Sequence, residues 1–471
     1  MKISFSILTA LLFTSLYSSS QTLEKNISRA FSAFQKDAQC RYAISSLSVL
    51  DAASGEIIFS ENADLGLTPA STLKTVTSAA AFHLLGRDYT WETFLTFSGK
   101  VNNGILDGDI IIQGTGDPVL GSERYAGTKT GVVLKRWVDA VRKAGIKHIS
   151  GKVIADDRLL GTETIPIGWI WQDMGNYYGA GVSAVNWDEN EFGILFKPGK
   201  RPGDPVTFLR TEPAIRNLRI VNEVITGKAG SGDNVYVYSA PFSKTVYLRG
   251  TYAIDLKKTI KASVPDPALE AASRLTEALE EASITVDKPA STFRLALLQN
   301  EAVPETAALI DTYTSPELED IIYWLNQKSI NLYAEAVLKA IALKKAKNPT
   351  ALEGAEIITD FWSDRLGIDK HSLSLLDGSG LSPENRVSTL SIAKILQSVR
   401  NELWFDSFYK SLPVYNGMKM KSGSMRNVLA YAGYHTNSQG KKLVFSFTVN
   451  NYNGSSRAIR QKVFNLLDEL K

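Results

Sequence analysis

The sequence predicts an α/β fold in which one domain is built from two separate pieces of the chain. Residues 22–85 and 306–471 both combine amphipathic helices with short alternating strands. Residues 86–305 differ, because they are first mixed and then almost wholly strand-like, with Gly and Pro turns. Since insertions are tolerated at surface loops where chain ends lie close together, we expect this middle region to interrupt the first domain.

The overall composition is that of a globular protein. The chain has 471 residues, of which 44% are apolar and 21% are charged, so two or three domains are expected. The net charge of +3 is a small difference between 52 basic and 49 acidic residues. It therefore gives no reason to expect a nucleic acid as a partner.

The N-terminus has the pattern of a secretory signal peptide. Lys2 precedes an apolar run over residues 7–17, and small residues follow at 18–20. We expect residues 1–20 to be removed by cleavage near Ser20, and no later stretch approaches the length of a membrane span. The single cysteine, Cys40, cannot form an internal disulfide, so an exported chain of this kind suits a bacterial periplasm.

The stretch from Thr68 to Lys74 predicts the start of a helix. Thr68 is expected to be the N-cap, and Pro69 suits the first turn. Ser71 then lies in the first turn, with Lys74 three residues later on the same face. A lysine amine can take the proton of a serine hydroxyl and make it a nucleophile. The spacing alone is weak evidence, since Ser-x-x-Lys recurs at three other serines, Ser391, Ser407 and Ser438.

The other elements follow from periodicity and turn residues. Strands are expected over residues 44–50, 56–59, 91–101, 105–113, 153–157, 431–435 and 443–450, and helices over 22–41, 132–144, 267–282, 315–327, 332–343 and 457–470. We expect the last helix to pack on its domain rather than bind a membrane surface. Lys129-Thr130-Gly131 leads directly into a helix and is interpreted as a helix start.

Two further stretches supply what a serine nucleophile needs. Ser329 and Asn331 lie in a predicted loop between helices, where a hydroxyl can pass a proton and an amide can hold a substrate carbonyl. Lys421, followed by Ser422, can bind a carboxylate, and this stretch is expected to precede strand-forming residues. Gly423 lets a substrate backbone lie close. The backbone N–H groups of Ser424 and Ser71 are candidates for an oxyanion hole.

Other catalytic arrangements have less support. A Ser-His-Asp hydrolase is not favoured, because the chain has four histidines but no Gly-x-Ser-x-Gly elbow. His83 is expected to be a structural residue of the Ser71 helix. His-Glu-x-x-His is absent, so neither a metal nor a cofactor is expected. Asp156 and Asp157 are adjacent on a strand and point to opposite faces, which favours a structural turn over a paired-carboxylate site.

The order Ser71-x-x-Lys74, Ser329-x-Asn331 and Lys421-Ser422-Gly423 resembles the signature of the penicillin-recognising serine enzymes. The long insertion, the Gly-Asp-Pro turn at 116–118 and the stretch 377–382 resemble one branch, the class C low-molecular-mass penicillin-binding proteins, which are D-alanyl-D-alanine carboxypeptidases and endopeptidases. The resemblance implies a transpeptidase-like domain with a five-stranded antiparallel sheet between helices. It also implies two nested inserted domains, and the expected ranges are 22–85 with 306–471, 86–189 with 246–305, and 190–245.

The resemblance also implies roles for these residues. Ser71 would form the acyl-enzyme, Lys74 would be the base, and Ser329 would relay the proton to the leaving group. Asn331 would bind the peptide carbonyl, and Lys421 with Ser422 would hold the terminal carboxylate.

Substrate side-chain recognition is less closely matched. Asp173 matches a position that contacts the amine of the substrate's diamino acid. Relatives often carry a basic residue where this chain has Pro383, and Arg426 is a possible substitute.

The implied partners are peptidoglycan D-Ala-D-Ala peptides and β-lactams. Two alternatives stay open: a non-catalytic penicillin-binding sensor on the same fold, or a β-lactamase.

Overall fold

The computed structural model describes residues 22–215 and 218–471. The predicted signal peptide, residues 1–20, lies outside the described residues. The chain divides into two compact units. The first contains residues 22–84, Ile322–Ser329 and Ala355–Lys471, and the second contains Leu85–Ile321 and Ile330–Gly354. The division into three domains expected from the sequence stays a prediction.

The first unit is built on a six-stranded sheet in which all neighbouring strands are antiparallel. The predicted α/β fold with an antiparallel sheet between helices is confirmed, with one strand more than the five expected. The additional strand is a two-residue edge strand, too short to show alternation in the sequence. The strands in sheet order are Ile57–Glu61, Ile44–Asp51, Lys442–Asn450, Val428–Thr436, Met418–Met425 and Val414–Tyr415.

Helices cover both faces of this sheet. Alternation along the Ile44–Asp51 strand directs Leu47 and Val49 into a core with the helix over residues 22–35 and the C-terminal helix. Ser46 and Ser48, on the opposite face, both hydrogen-bond the hydroxyl of Thr389. The helices assigned wholly or partly to this unit are residues 22–35, Leu73–Leu84, Leu318–Gln327, Ala351–Leu366, Thr389–Ser398, Phe405–Ser411 and Ser456–Leu467. Short 3-10 turns and a two-stranded ladder complete it: Ala38–Cys40, Ala70–Thr72, Lys370–Ser372, Val399–Asn401, Asp468–Leu470, and Leu373–Ser374 paired with Arg386–Val387.

The second unit contains two mixed sheets packed with helices. Its core includes Trp137, Leu275 and Ile112, all fully buried. The five-stranded sheet has the order Ser291–Thr292, Val153–Asp156, Ile110–Gly114, Glu92–Phe97 and Ala308–Thr314, and the four-stranded sheet has the order Thr285–Val286, His148–Ile149, Ile105–Asp107 and Lys100–Asn102. The helices are Thr130–Lys143, Trp171–Met174, Pro267–Glu281, Phe293–Leu298 and Asn331–Ala346, with 3-10 turns at Tyr177–Gly179 and Asp188–Asn190. As predicted, Lys129-Thr130-Gly131 is a helix start.

A strand-rich part of the second unit has its own core. Phe192, Val237 and Leu248 are among the side chains that meet there. The three-stranded sheet has the order Thr207–Glu212, Glu191–Lys197 and Ile260–Ser263. In the other sheet, Thr245–Ala253 pairs with Arg219–Asn222 and Ile225–Gly227 in parallel and with Asp233–Tyr238 antiparallel. Across the described ranges, no helix is both long enough and apolar enough to span a bilayer.

Candidate active site

Ser71 lies in a short 3-10 turn, Ala70–Thr72, which runs directly into the helix Leu73–Leu84. The prediction that Thr68 caps this helix is wrong. Pro69 occupies the N-cap position, and the Thr68 hydroxyl instead donates to the carbonyl oxygen of Pro383, 3.2 Å away.

Two glycines hold this turn in place. Ala70 has a φ of +46°, a left-handed conformation that costs free energy for a residue with a side chain. A Cβ atom at Gly380 would lie 2.0 Å from the carbonyl oxygen of Ala70. A Cβ atom at Gly423 would lie 2.8 Å from the backbone nitrogen of Ser71. The Ser71 turn is therefore fixed by backbone contacts that only glycine permits.

Lys74 is fully buried beside Ser71. Its Nζ donates to Ser71 Oγ at 3.2 Å and to the carbonyl oxygen of Ser379 at 2.7 Å. The loop that carries this carbonyl is held by Asp377, whose carboxylate accepts the backbone N–H groups of Gly380 and Ser382 at 2.7 and 2.6 Å. The lysine amine is thus oriented toward the serine hydroxyl by a rigid loop.

Ser329 lies against Lys421 in the same unit. Lys421 Nζ donates to Ser329 Oγ at 2.9 Å and to the carbonyl oxygen of Ser422 at 2.8 Å. Ser329 occupies the predicted loop between the helices Leu318–Gln327 and Asn331–Ala346, with a φ of +57°. Because Lys421 bonds to its oxygen, the Ser329 hydroxyl proton is available for a different acceptor.

The Lys421–Ser424 stretch lies inside a strand, so the prediction that it precedes the strand is wrong. Lys421 pairs with Ala432 and Gly423 with Ala430 in the register of the sheet. Its small and polar residues weaken the strand signal, but pairing with the next strand continues through them. Ser424 follows Gly423 in the same strand, and Arg426 is exposed in the hairpin turn at its end.

The two lysines share a low-dielectric site. Burial lowers the pKa of the Lys421 amine well below its ordinary value, and repulsion by the Lys74 ammonium lowers it further. Two ammonium groups buried close together repel each other and lose their hydration, so the doubly charged state is unfavourable. The site therefore favours one neutral amine, and a carboxylate that arrives beside Lys421 would favour its charged form.

Asn331 and Asp173 belong to the second unit. Asn331 is the first residue of its helix, and its Nδ2 donates to the carbonyl oxygen of Tyr178 at 2.7 Å. The Tyr178 hydroxyl donates to Asp173 Oδ1 at 3.2 Å. Burial raises the pKa of Asp173, and the bond from Tyr178 only partly opposes that rise. Tyr178 thus links the predicted amine-binding carboxylate to the second motif.

A buried polar cluster, which the sequence did not reveal, anchors the same helix. The Tyr333 hydroxyl, the Ser122 hydroxyl and the Arg124 guanidinium all donate to the Glu189 carboxylate, at 2.6–3.0 Å. Burial by itself would raise the pKa of Glu189, but these bonds outweigh it and hold the pKa below its ordinary value. The turn Asp188–Asn190 that presents Glu189 has three successive left-handed residues, with φ of +48°, +55° and +54°. Such a turn has no side-chain signature in the sequence.

The residues of the rival arrangements have structural partners. His83 packs against the rings of Phe361 and Trp404, and burial lowers the pKa of its imidazole. Asp156 pairs with Arg158, whereas Asp157 accepts the backbone N–H of Arg294. The two carboxylates therefore do not act on one shared group.

Comparisons with known proteins agree with this geometry. The model of the D-Ala-D-Ala carboxypeptidase 3 (S13) family matches residues 27–470. The D-alanyl-D-alanine carboxypeptidase of Actinomadura sp. (strain R39) is 27% identical over 451 residues, which cover 90% of this chain and 80% of that protein.

The fold also matches solved structures. Penicillin-binding protein 4 (dacB) from Haemophilus influenzae superposes with a TM-score of 0.77 at 22% identity, over 93% of this chain and 98% of that chain. A second structure of that protein, complexed with a β-lactam, gives a TM-score of 0.73 at 22% identity, over 94% and 99% of the two chains.

Proposed function

We propose that this chain, which belongs to the D-Ala-D-Ala carboxypeptidase 3 (S13) family, hydrolyses the D-Ala-D-Ala end of peptidoglycan stem peptides through an acyl-enzyme on Ser71. The observation that carries the proposal is the pair of contacts in the first unit, Lys74 Nζ to Ser71 Oγ and Lys421 Nζ to Ser329 Oγ. Together they provide a nucleophile, a base, a proton relay and a cation.

Acylation begins when the neutral Lys74 amine takes the Ser71 hydroxyl proton. Ser71 Oγ then attacks the carbonyl carbon of the penultimate D-alanine, and the carbonyl π electrons move to oxygen. The backbone N–H groups of Ser71 and Ser424 are the proposed donors to that oxyanion. Their catalytic value depends on fixed positions, and the glycine contacts around the Ser71 turn keep its N–H group in place.

Collapse of the tetrahedral intermediate releases the leaving group. The C–N bond breaks, and the Ser329 hydroxyl delivers a proton to the departing amine while the proton held by Lys74 replaces it. A water molecule then attacks the ester carbonyl and gives a proton to Lys74. The ester C–O bond breaks, the shortened peptide leaves as a carboxylic acid, and Lys74 returns the proton to Ser71 Oγ. A cross-link amine can leave in the same way as D-alanine, so we include DD-endopeptidase action.

Substrate recognition is assigned to residues of both units. Lys421 and the Ser422 hydroxyl hold the terminal carboxylate, and Asn331 binds a peptide carbonyl. The Asp173 carboxylate suits an amine on the diamino acid side chain, with exposed Arg426 as a further contact to the stem peptide.

Penicillin-binding protein 4 of Haemophilus influenzae has been solved in complex with a β-lactam. We propose that β-lactams likewise acylate Ser71 in this chain. An exported enzyme that acts on peptidoglycan would work in the periplasm.

Product analysis tests this function. Purified protein is incubated with cross-linked peptidoglycan fragments and with pentapeptides, and the products are identified by mass spectrometry. We expect release of D-alanine and cleavage of cross-links, both abolished in Ser71→Ala. Intact β-lactam labelling with no released D-alanine would instead support a non-catalytic sensor, and rapid hydrolysis of the β-lactam without peptide cleavage would support a β-lactamase.

A further inference from the structure

One face of the strand-rich part of the second unit carries exposed aromatic side chains. The strands Asp233–Tyr238 and Thr245–Ala253 pair antiparallel, and alternate residues of both enter the core while the others point outward. The outward residues, together with the indole of the Trp171–Met174 helix, form a surface that we call the aromatic platform. Its members are Trp171, Tyr236, Tyr238, Tyr247 and Arg249.

The platform is continuous and accessible. Trp171 is 54% exposed, and its ring centroid lies 4.9 Å from that of Tyr238. Tyr238 faces Tyr247 across the strand pair, and the Arg249 guanidinium lies 5.3 and 5.7 Å from their ring centroids. Single exposed aromatic side chains are ordinary on protein surfaces, whereas several in one contiguous patch indicate a binding surface.

The chemistry of the platform suits a neutral sugar polymer. Flat rings pack against the apolar C–H faces of pyranose rings, while tyrosine hydroxyls bond to sugar hydroxyl and acetamide groups. Arg249 is neutralised by Glu223, with Nε to Oε2 at 2.7 Å. A single-stranded nucleic acid would need a positively charged groove as well as stacking rings, and the charge on this face is already paired.

The platform is close in the chain to one of the proposed recognition residues of the same unit. Trp171 lies two residues before Asp173 in the Trp171–Met174 helix. Asp173 accepts from Tyr178, which in turn bonds to Asn331 through its carbonyl oxygen. The helix that carries Trp171 is therefore linked by hydrogen bonds to the helix that begins at Asn331.

We propose that the aromatic platform binds the glycan strand of peptidoglycan, a chain of N-acetylated amino sugars that is neutral where its lactyl groups carry stem peptides. This inference rests on the proposed function. It assigns the recognition of polymeric substrate to the second unit.

Isothermal titration with N-acetylglucosamine oligosaccharides, which are neutral and carry no peptide, tests the proposal. We expect the wild type to bind them, and the double variant Trp171→Ala/Tyr238→Ala and the single variant Tyr247→Ala to bind at least tenfold more weakly. Tyr42→Ala removes a tyrosine that is 67% exposed in the first unit, so this control should bind like the wild type. Thermal melting identifies variants that fail to fold. If the double variant does not fold, the binding measured for the single variant Tyr247→Ala decides between the outcomes.

The outcomes separate the two proposals. Absence of binding by the wild type, or equal binding by a folded platform variant, would overturn the glycan proposal while penicillin acylation of Ser71 stayed intact. If penicillin did not acylate Ser71 in the wild type, that result would instead contradict the proposed function. Preferential binding of sugar-free stem peptide or of a single-stranded oligonucleotide would also overturn the inference. So would a wild-type protein that is dimeric and becomes monomeric in the platform variants.

Discussion

At the scale of single residues, the candidate site depends on which amine carries a proton. Lys421 is fully buried, and both burial and the Lys74 charge lower the pKa of its amine. Its motif was visible in the sequence as Lys-Ser-Gly. Its electrostatic state was not, because that state depends on a second lysine 347 positions away and on the exclusion of water by the folded unit.

This pKa predicts a limit to activity at alkaline pH. The Lys421 ammonium is the proposed partner of the substrate carboxylate, so kcat/KM should fall as pH rises through its pKa, at a pH below the ordinary lysine value of 10.5. A pH profile of kcat/KM with a D-Ala-D-Ala peptide measures this. In Lys421→Arg the alkaline fall should move to higher pH, since a guanidinium keeps its charge. An unchanged alkaline limb in that variant would contradict the assignment.

Glu189 is predicted to stabilise the second unit. Glu189→Gln would remove the carboxylate charge to which the half-buried Arg124 guanidinium donates two hydrogen bonds, and we expect the free energy of unfolding to fall by about 2–4 kcal/mol. Urea denaturation followed by circular dichroism measures this. The matched control is Glu223→Gln, which breaks the Arg249 ion pair, in which both partners are about half exposed. Its expected cost is much smaller because solvent screens an exposed ion pair, and equal costs for the two variants would refute the distinction.

At the scale of elements, the periodic segments could be predicted and the strained ones could not. The helix Thr130–Lys143 and the strand Lys442–Asn450 lie within two residues of their predicted bounds, since local apolar spacing determines both. The 3-10 turn at Ser71 and the left-handed Asp188–Asn190 turn are imposed by contacts distant in sequence. The edge strand Val414–Tyr415 has too few residues to alternate.

Packing of the Ser71 turn can be tested with a matched pair of glycines. Gly380 and Gly417 have similar left-handed φ values, +79° and +74°, but only at Gly380 would a Cβ atom lie within 4 Å of another group, the Ala70 carbonyl oxygen among them. Gly380→Ala should displace the turn and slow acylation by a fluorescent penicillin at least tenfold. Gly417→Ala should retain nearly the wild-type rate. Similar rates for the two variants would show that the turn tolerates displacement.

At the scale of the whole molecule, the sequence predicted the enzyme class but not how the functional residues are divided between the two units. Ser71, Lys74, Ser329 and Lys421 belong to the first unit, and Asn331 and Asp173 to the second. Motif order predicts the chemistry, because each motif supplies one functional group. It does not predict the Tyr333–Glu189 anchor or the aromatic platform, since both are formed by residues far apart in the chain.

The proposed function requires that a penicillin acylates Ser71. The most direct measurement is incubation of the purified protein with a penicillin, followed by protease digestion and peptide mass spectrometry. We expect the penicilloyl adduct on the peptide that contains Ser71, and none in the Ser71→Ala variant. An adduct on Ser391, Ser407 or Ser438, or labelling that survives Ser71→Ala, would show that Ser71 is not the nucleophile.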